Sequence, residues 1–554
     1  MIKINIMKIS YINFWPLKEK IDYWLYYFCV SIFDEEVKLV HPNENEIDIL
    51  FCSCFGSMEN IIRNKAKIKI FFTGENVERP EYSEYNNEIT MKEVFDLRLG
   101  FHYTDLKNDK IRLPLWITFY NYYNMKNEKD NFIRNLLKKR LENMSNQIRF
   151  GSLVCRHDRN GVRGKILDEL SKYGKVDCGG KYRNTGIIIG ERWEDKLKFI
   201  SESKYTICPD NSSAVGYCTE KIMHGMEGGC IPLYWGNDYP EKHILKKESY
   251  IFVDVENEEL MRNQIREGLK KNIVLNVFTR ESKYVLDNYY KTLEWGIKQK
   301  LNKVEKQRIY GISYASRHFI NREKKIKDEA LKSGYFDEFH CCTEKDVDES
   351  FIKSMGDVWK MSKRGGGYWV WKPYIIYEKL RKIKENDILV YIDSGCSINN
   401  RINARKRFNE YIEMVNNHWT GFLRFQLGED CKEERYNNKY FINYFENRYI
   451  NPKEYLKDSQ LLNGILIMRK TSFVMKFFRE HLRMIYDNPI IHTDLHTLPN
   501  EKHRHDQSVM SLLYKYMNGD LIIKDETWFS GIGGNGDFGK EKSWNYPIWA
   551  TRFR

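Results

Sequence analysis

The chain has 554 residues, too many for one ordinary hydrophobic core, so its length predicts several domains. Apolar residues make up 42% of the sequence and aromatic residues 14%, which excludes a mainly disordered protein. The net charge of +13 is spread along the chain rather than gathered in a basic tail, so nucleic acid is not an expected partner.

The sequence also gives expectations about location and redox state. No apolar run approaches the roughly 20 residues needed to span a bilayer, and the first residues lack a signal-peptide layout. We therefore expect a cytoplasmic protein without a transmembrane segment. The 12 cysteines show no paired C-x-x-C spacing, so we expect reduced thiols that mostly fill the core.

Short apolar runs alternate with amphipathic stretches over the first 300 residues or so, a pattern typical of an α/β fold. The amphipathic stretches 131–141 and 164–173 predict helices. This pattern predicts two α/β lobes, residues 1–150 and residues 151–303. The predicted buried strands are Ile49–Cys52, Ile68–Phe72, Ser152–Cys155, Tyr205–Cys208 and Ile231–Trp235.

Residues 212–236 contain side chains that suit a nucleotide sugar. Gly216 would let the backbone approach a ligand closely. A helix that begins near Thr219 would direct free N–H groups and the positive end of its dipole at a diphosphate. Lys221 adds a positive charge, and Glu220 can accept hydrogen bonds from sugar or ribose hydroxyls.

This segment reads G-Y-C-T-E-K-I at 216–222 and G-C-I-P-L-Y-W-G at 229–236, and it resembles the signature of the α-1,3/4-fucosyltransferases of glycosyltransferase family 10. The resemblance covers roughly residues 60–255. Two motifs depart from the family pattern: residues 210–212 read D-N-S for E-N-S, and 155–157 read C-R-H for S-N-P. Further matches in the same order are G-E-N at 74–76, R-L-P-L at 112–115, Arg163 at the position of a pyrophosphate arginine, and K-V-D-C-G-G at 175–180.

The resemblance implies a GT-B enzyme with two Rossmann-like lobes, an acceptor lobe at 1–150 and a GDP-sugar lobe at 151–303. It implies inverting transfer of fucose from GDP-fucose to a glycan acceptor. Glu75, which follows a predicted strand, would be the catalytic base. Arg163 and Lys221 would neutralise the leaving GDP without a metal. The implied donor-binding residues are Arg163, Asn211, Tyr217, Glu220 and Lys221.

A second α/β pattern follows a basic, polar stretch, so we place the domain boundary near residue 303. Strands are predicted at 308–314, 388–392 and 462–468, with a helix near 508–516. Asp393 ends the apolar run 388–392, where a carboxylate can hold Mn²⁺ or Mg²⁺ against a diphosphate. The sequence shows no Arg/Lys pair beside Asp393, which favours such a metal.

The motif G-G-G-Y-W-V-W-K-P at 365–373, the strand that ends at Asp393, N-G at 463–464 and D-Q at 506–507 together resemble GT-A-type glycosyltransferases of a little-characterised bacterial and viral group. The resemblance covers about 307–530 and implies a GT-A-like domain at 304–554 that uses a UDP-sugar. It implies Asp506 as base or acceptor contact and Asp393 with His505 or His503 as metal ligands. The implied donor-binding residues are Tyr368, Trp371 and Lys372.

Three hypotheses remain open at this point. The chain is a bifunctional enzyme that adds two sugars to a glycan, or its C-terminal domain is a degenerate carbohydrate-binding or oligomerising module. The absence of a second Asp near Asp393 supports the degenerate module. The third hypothesis is a nucleic-acid-binding protein, and only the charge suggests it. Salt-dependent binding of an oligonucleotide in a gel-shift experiment is needed to support it. The sequence leaves the acceptor, the linkages and the oligomeric state open.

Overall fold

The chain forms two compact units, Met1–Val304 and Glu305–Arg554. The computed structural model describes residues 6–17, 23–120, 131–190, 192–237, 241–316, 320–361, 365–449, 453–527 and 544–551. Each unit has its own α/β core, and the two are described separately below.

The first lobe of unit 1 is built on a six-stranded sheet in which every neighbouring pair is parallel. The strand order is β2-β1-β3-β4-β5-β6. The central strand β3 reads ILFC and is fully buried, because helices cover both faces of a parallel sheet. The strands are β1 (Ile6–Ile12), β2 (Glu36–Leu39), β3 (Ile49–Cys52), β4 (Ile68–Phe72), β5 (Leu97–Gly100) and β6 (Lys110–Arg112).

The second lobe of unit 1 is built on a five-stranded parallel sheet with the order β11-β10-β9-β7-β8. Its central strand β9 lies between β7 and β10, so the residues that follow these strands meet at one edge of the sheet. The strands are β7 (Arg149–Leu153), β8 (Val176–Cys178), β9 (Ser203–Ile207), β10 (Ile231–Tyr234) and β11 (Ile251–Phe252).

Helices connect the strands of both lobes. The last helix of unit 1, α9, comes after the second sheet in the chain yet packs on the first sheet. A Cβ atom added at Gly296 of α9 would lie 2.5 Å from Ile111 Cδ1 of β6, so a larger residue there would require the Ile111 side chain to shift. The helices are α1 (Trp24–Ile32), α2 (Met58–Arg63), α3 (Glu88–Val94), α4 (Asn131–Met144), α5 (Val162–Leu170), α6 (Trp193–Ser201), α7 (Glu220–Glu227), α8 (Glu258–Gly268) and α9 (Ser282–Lys300).

Unit 2 contains a six-stranded mixed sheet with the order β13-β12-β14-β17-β16-β18. Strand β17 runs antiparallel to both of its neighbours, and the other pairs are parallel. A two-stranded antiparallel sheet pairs β15 with β19. The strands are β12 (Ile309–Tyr314), β13 (Glu338–Cys342), β14 (Ile388–Ile392), β15 (Ser397–Ile398), β16 (Phe422–Gln426), β17 (Ile465–Arg469), β18 (Ile522–Lys524) and β19 (Ile548–Trp549).

The helices of unit 2 cover the mixed sheet. Helix α18 is strongly amphipathic and buries Phe473, Phe477 and Phe478. The helices are α10 (Ile320–Ser333), α11 (Glu349–Lys360), α12 (Gly365–Tyr368), α13 (Trp371–Lys382), α14 (Ile402–Asn417), α15 (Glu433–Tyr436), α16 (Lys439–Arg448), α17 (Lys453–Leu456), α18 (Ser472–Asp487) and α19 (Asp506–Tyr516).

The predicted α/β class with parallel sheets is confirmed. Strands β3, β4 and β14 have the predicted bounds, and the other predicted elements lie within a few residues of their observed positions. All 12 cysteines are free thiols, and ten of them are buried, as expected for core residues. In the described part of the chain, no helix is both long and apolar enough to cross a membrane.

Candidate functional site

Glu75 lies in the loop that follows β4, at the carboxyl edge of the first sheet. Its side chain is 27% exposed, and Arg79 Nη1 lies 3.4 Å from its Oε2 atom. The Glu75 N–H donates to Thr73 Oγ1 at 3.0 Å, which fixes the loop. The carboxylate lines a cavity of about 360 Å³ in the first lobe, so it can reach a ligand bound there.

Arg163 lies in the first turn of α5 and is buried. Its Nη1 donates to the His157 carbonyl at 3.0 Å, and its Nη2 donates to Asn211 Oδ1 at 2.9 Å. Asp158 accepts from the Arg163 N–H at 3.0 Å and from the Gly164 N–H at 2.7 Å, so it caps the start of α5. The unusual C-R-H motif therefore still positions Arg163, through a backbone carbonyl.

Asp210, which replaces the family glutamate, is buried beneath the start of α7. Its Oδ1 accepts from the Thr219 N–H at 3.2 Å and also from the Thr219 hydroxyl. Its Oδ2 accepts from the Tyr234 hydroxyl at 2.7 Å. Because Thr219 is the N-cap of α7, Asp210 fixes the position of this helix start.

Three cationic side chains, Arg163, Lys196 and Lys221, line one small cavity at the edge of the second sheet. Lys221 Nζ donates to Thr219 Oγ1 at 3.1 Å. Lys196 comes from α6, and its Nζ lies 3.8 Å from Glu220 Oε1. Burial lowers the pKa of Lys196, and the charge of Glu220 opposes this shift. Such a concentration of positive charge suits a polyanionic ligand.

Glu220 is the first residue of α7 and the carboxylate of this group. Burial would raise the pKa of Glu220, but the charges of Lys221 and Lys196 outweigh burial and lower the pKa to about 2. Glu220 is therefore ionised at neutral pH and can accept hydrogen bonds.

Tyr217 is buried, and its hydroxyl has no hydrogen-bond partner among the described residues. Its ring packs edge-on against Phe101 at 5.1 Å. Burial raises the pKa of Tyr217, and the carboxylates of Asp210, Glu75 and Glu220 add to this effect. Charges from both lobes therefore act on this one hydroxyl.

Hydrogen bonds from Arg112 and Asn76 join the lobes of unit 1 near these residues. Arg112 of the R-L-P-L motif donates to the Gly216 carbonyl at 3.0 Å and to Glu241 Oε1 at 2.7 Å, and all of these atoms are buried. Asn76 of the G-E-N motif donates to Ser212 Oγ at 3.0 Å. The sequence motifs of the first lobe therefore connect directly to the predicted donor segment.

Gly216 has a φ of +78°, and an added Cβ atom would lie 2.6 Å from the Phe101 carbonyl oxygen. Gly180 of the K-V-D-C-G-G motif is equally confined, because its Cβ would lie 2.0 Å from the Cys155 carbonyl oxygen. Both glycines serve close backbone packing in this structure.

In unit 2, Lys372 of α13 lies between two carboxylates. Its Nζ lies 2.7 Å from Asp506 Oδ2 and 3.1 Å from Asp393 Oδ1, and it donates to the Asn463 carbonyl at 3.2 Å. Burial would lower the pKa of Lys372, but Asp393 and Asp506 outweigh it and raise the pKa. The sequence shows no Arg/Lys pair beside Asp393, but α13 brings a single lysine, Lys372, to the end of β14.

Asp393 is the more accessible of the two carboxylates. Its side chain is 38% exposed, against 8% for Asp506. Asp393 Oδ1 also accepts from the Tyr391 hydroxyl at 2.5 Å. Asp506 Oδ2 accepts from Asn463 Nδ2 at 2.5 Å, so the buried Asp506 contacts both Asn463 and Lys372, and its role as base or acceptor contact stays a prediction.

The two histidines predicted as metal ligands of unit 2 each have a ring nitrogen beside a backbone carbonyl oxygen. His505 is buried, and its Nδ1 lies 2.7 Å from the His492 carbonyl oxygen, while His503 Nε2 lies 2.8 Å from the Ile491 carbonyl oxygen. Among the described residues, one group of three possible ligand side chains has its ligand atoms within 4.8 Å of each other, and it contains neither Asp393 nor His505. That group is His340, Cys342 and Asp346.

The glycine-rich motif forms a left-handed turn. Residues 365–369 all have positive φ, including the non-glycine residues Tyr368 (53°) and Trp369 (59°). Trp371 is a buried core residue, since it stacks on Tyr314 at 3.7 Å and donates to the Gly365 carbonyl at 2.9 Å. Tyr368, Trp371 and Lys372, the predicted donor-binding residues, thus all have partners within the protein.

Lys196 and Trp24 lie outside every motif recognised in the sequence. Lys196 joins the cation group only because α6 and α7 pack together, and Trp24 lines the cavity beside Glu75. Their positions depend on packing between elements that are distant in sequence, and no local motif marks either residue.

Two family descriptions match unit 1. The α-(1,3)-fucosyltransferase FucT N-terminal domain matches residues 9–120, and the glycosyltransferase family 10 (fucosyltransferase) C-terminal region matches residues 146–284. The α-(1,3)-fucosyltransferase FucT of Helicobacter pylori is 27% identical over 278 residues, which is 45% of this chain and 54% of that protein. The chain therefore spans about half the length of this curated relative.

Among solved structures, an α1,3-fucosyltransferase aligns with 21% identity and a TM-score of 0.38, over 54% of this chain and 90% of its own. Anabaena HepE in complex with UDP and glucose aligns with 8% identity and a TM-score of 0.34, over 54% of this chain and 100% of its own. The family matches show that unit 1 carries a glycosyltransferase region that resembles the family 10 fucosyltransferases, over residues 9–120 and 146–284.

Proposed function

We propose that unit 1 is an inverting GT-B fucosyltransferase that takes fucose from GDP-fucose and transfers it to a hydroxyl of a glycan. The observation that carries this proposal is the group of Arg163, Lys196 and Lys221 around one cavity, with Glu75 on the facing lobe. The family match over both lobes and the motif residues support the same activity.

Glu75 is the proposed base. As the attacking hydroxyl forms a bond to the anomeric carbon, its proton passes to the Glu75 carboxylate, and the bond from that carbon to GDP breaks. General base catalysis of this kind contributes about 10²- to 10⁴-fold to the rate. The ion pair with Arg79 orients the Glu75 carboxylate in the cavity.

The leaving GDP gains negative charge as its bond to the sugar breaks. We propose that Arg163 and Lys221 neutralise that charge. The start of α7 adds the positive end of a helix dipole. Arg163 Nη2 donates to Asn211 Oδ1 at 2.9 Å, and this hydrogen bond fixes the guanidinium. We propose that Glu220 accepts hydrogen bonds from hydroxyls of the donor sugar or ribose. The Tyr217 hydroxyl is proposed to donate a hydrogen bond to the same donor. These permanent cations make a metal unnecessary in unit 1.

A donor panel tests this proposal. The full chain is incubated with GDP-fucose, GDP-mannose, UDP-glucose and UDP-galactose on a glycan array, and released GDP or UDP is measured. We expect GDP-fucose to be consumed in the presence of EDTA, with an α-linked product identified by NMR. If a chain with an intact unit 1 released UDP but no GDP, the proposal would be contradicted.

We also propose that unit 2 is a GT-A-like module that transfers a second sugar from a UDP-sugar. The supporting observation is the carboxylate of Asp393 at the end of the central strand β14, held by Lys372 and Tyr391. A Cβ atom on Gly464 would lie 2.9 Å from Asp393 Oδ2, so the glycine leaves space beside that oxygen. Asp393 Oδ2 therefore fits one ligand of Mn²⁺ or Mg²⁺, which would neutralise charge on a diphosphate, and His505, whose Nδ1 lies beside the His492 carbonyl, stays the predicted second ligand.

Manganese binding separates this second activity from a degenerate module. Mn²⁺ titration of the full chain, followed by electron paramagnetic resonance, should show a bound ion that Asp393→Asn removes. The matched control Asp387→Asn lies at the opposite end of β14 and should leave the bound ion in place. Equal binding by wild type and Asp393→Asn would favour the carbohydrate-binding or oligomerising alternative.

A further inference from the structure

Strand β13 of unit 2 ends in two side chains that can bind a metal ion. Successive residues of a strand point to opposite faces of the sheet, so His340 and Cys342 lie on the same face. Cys341 lies on the opposite face, where its Sγ is 3.6 Å from the Glu323 carbonyl oxygen of α10. The end of β13 therefore presents an imidazole and a thiol next to each other.

A carboxylate joins this pair from the turn that follows the strand. Asp346 Oδ1 lies 3.1 Å from His340 Nε2, and one ligand atom from each of His340, Cys342 and Asp346 lies within 4.8 Å of the other two. In a tetrahedral zinc site, bonds of about 2.0 to 2.3 Å place the ligand atoms about 3.3 to 3.6 Å apart. The widest pair would therefore have to approach by no more than about 1.2 Å, which is within reach of side-chain rotation.

The turn holds Asp346 in place. Its Oδ2 accepts from the Thr343 N–H at 2.7 Å and from the Thr343 hydroxyl at 3.2 Å. These two bonds are made by Oδ2, and the other oxygen, Oδ1, is directed at His340. Metal ligands are commonly oriented by hydrogen bonds of this kind from neighbouring groups. The carboxylate is thus positioned before an ion binds.

The cluster is accessible to an ion. The side chains of His340 and Asp346 are 53% and 36% exposed, whereas Cys342 is buried. An ion can therefore reach the thiol past the imidazole and the carboxylate. Lys379 of α13 is a cation near Cys342, but its Nζ lies 2.6 Å from Glu338 Oε1, so this ion pair weakens its repulsion of a metal.

The ligand atoms indicate the class of metal. Thiolate and imidazole ligands suit Zn²⁺, whereas Mg²⁺ and Mn²⁺ prefer oxygen ligands. The thiolate and the carboxylate together carry two negative charges, which balance those of Zn²⁺. As the bond from Cys342 Sγ to zinc forms, the thiol proton passes to solvent, and His340 and Asp346 exchange their mutual contact for one bond each to the ion. Three protein ligands leave the fourth position of a tetrahedron to a water molecule or another ligand.

We propose that His340, Cys342 and Asp346 form a zinc-binding site at the end of β13. This site does not depend on either proposed sugar transfer. It shares no ligand with the predicted site at Asp393, and it takes a softer cation than the Mn²⁺ or Mg²⁺ proposed there. A bound ion would fasten the turn 343–346 to the strand.

Cobalt tests the site directly, because a thiolate bound to Co²⁺ gives a charge-transfer band in the near ultraviolet. The full chain is stripped with EDTA under reducing conditions, titrated with Co²⁺ and then challenged with Zn²⁺ or Mn²⁺. We expect the band to saturate at one cobalt per chain. Zn²⁺ should displace the cobalt with a dissociation constant below about 1 μM, and Mn²⁺ should not displace it.

Two adjacent cysteines provide a matched pair of variants. Cys341 and Cys342 are both 6% exposed, but they lie on opposite faces of the sheet. Cys342→Ala should lose the band, and Cys341→Ala should retain it. His340→Gln changes an exposed side chain, so it should fold normally and weaken zinc binding at least about 100-fold. Asp393→Asn should retain both the band and the zinc affinity.

Several results would overturn the zinc site. One is the absence of a thiolate-to-cobalt band in the wild-type chain. Another is a band of equal strength in the wild-type chain and in Cys342→Ala. If circular dichroism shows that Cys342→Ala does not fold, the zinc affinity of His340→Gln decides, and an affinity equal to that of the wild-type chain would overturn the proposal.

Discussion

At the scale of single residues, Lys196 is the clearest addition to the motif residues. It shares its cavity with Arg163 and Lys221, and its one described ion-pair partner, Glu220, is 3.8 Å away. We expect Lys196→Gln to weaken GDP binding about tenfold, because a cation near a diphosphate contributes roughly 1–2 kcal/mol. Calorimetry with GDP and with guanosine measures this, and guanosine binding should not change. Lys198→Gln, an exposed lysine on the same helix, is the matched control.

Lys196 also predicts a pH dependence. Burial lowers its pKa, so its positive charge is lost as the pH rises, and at a lower pH than for an ordinary lysine with a pKa of about 10.4. GDP affinity should therefore begin to fall at a lower pH than that at which an ordinary lysine loses its charge. In Lys196→Arg this fall should move to higher pH, because arginine stays protonated. If the wild-type chain and Lys196→Arg had identical pH profiles of GDP affinity, the assignment of Lys196 to the donor site would be wrong.

At the scale of elements, the start of α7 depends on a buried carboxylate. Asp210 accepts from the N–H and hydroxyl of Thr219 and from Tyr234, so Asp210→Asn places an N–H₂ group where an acceptor is required. We expect a destabilisation of about 1–3 kcal/mol. Urea denaturation, followed through loss of GDP binding, measures the change. Asp168→Asn removes an exposed pair with Arg183 and should cost less than about 1 kcal/mol.

Helix α13 is tied to β14 and α19 by Lys372. Lys372→Met leaves Asp393 and Asp506 without their shared cation and should destabilise unit 2 by about 3–5 kcal/mol. Hydrogen exchange of peptides from 371–382 and 506–516 should become faster. Lys382→Met, at the exposed end of the same helix, should leave this exchange unchanged. If Lys372→Met also left it unchanged, the ion-pair account would be incorrect.

The sequence predicts elements better than it predicts the contacts between them. Strands β3, β4 and β14 were predictable because they are short, mostly apolar runs bounded by polar residues, and only β4 is interrupted, by Lys69. Glu75, Arg163 and Lys221 were recognisable from motifs. The ion pair of Lys372 with Asp393 could not be recognised in the sequence, because it joins residues on different elements. Burial of a lysine beside two carboxylates leaves no local pattern in the sequence.

At the scale of the whole molecule, each proposed site is built from residues of its own unit. Mutations in such separate sites are expected to act independently. Asp393→Asn should therefore abolish the proposed UDP-sugar transfer and leave GDP-fucose transfer unchanged, and EDTA should have the same selective effect. Product analysis by mass spectrometry, with and without EDTA, measures both. Loss of both transfers after chelation would contradict metal-independent catalysis in unit 1.

The most direct test of the central claim compares two carboxylates that contact the same arginine. Glu75 and Glu81 both pair with Arg79, but of the two only Glu75 lines the cavity of the first lobe. Fucose transfer and GDP binding are measured for Glu75→Gln, Glu81→Gln and the wild-type chain. We predict that Glu75→Gln lowers transfer by at least about 100-fold with GDP affinity unchanged, and that Glu81→Gln retains both. Near-normal transfer by Glu75→Gln would contradict the assignment of Glu75 as the base of a fucosyltransferase.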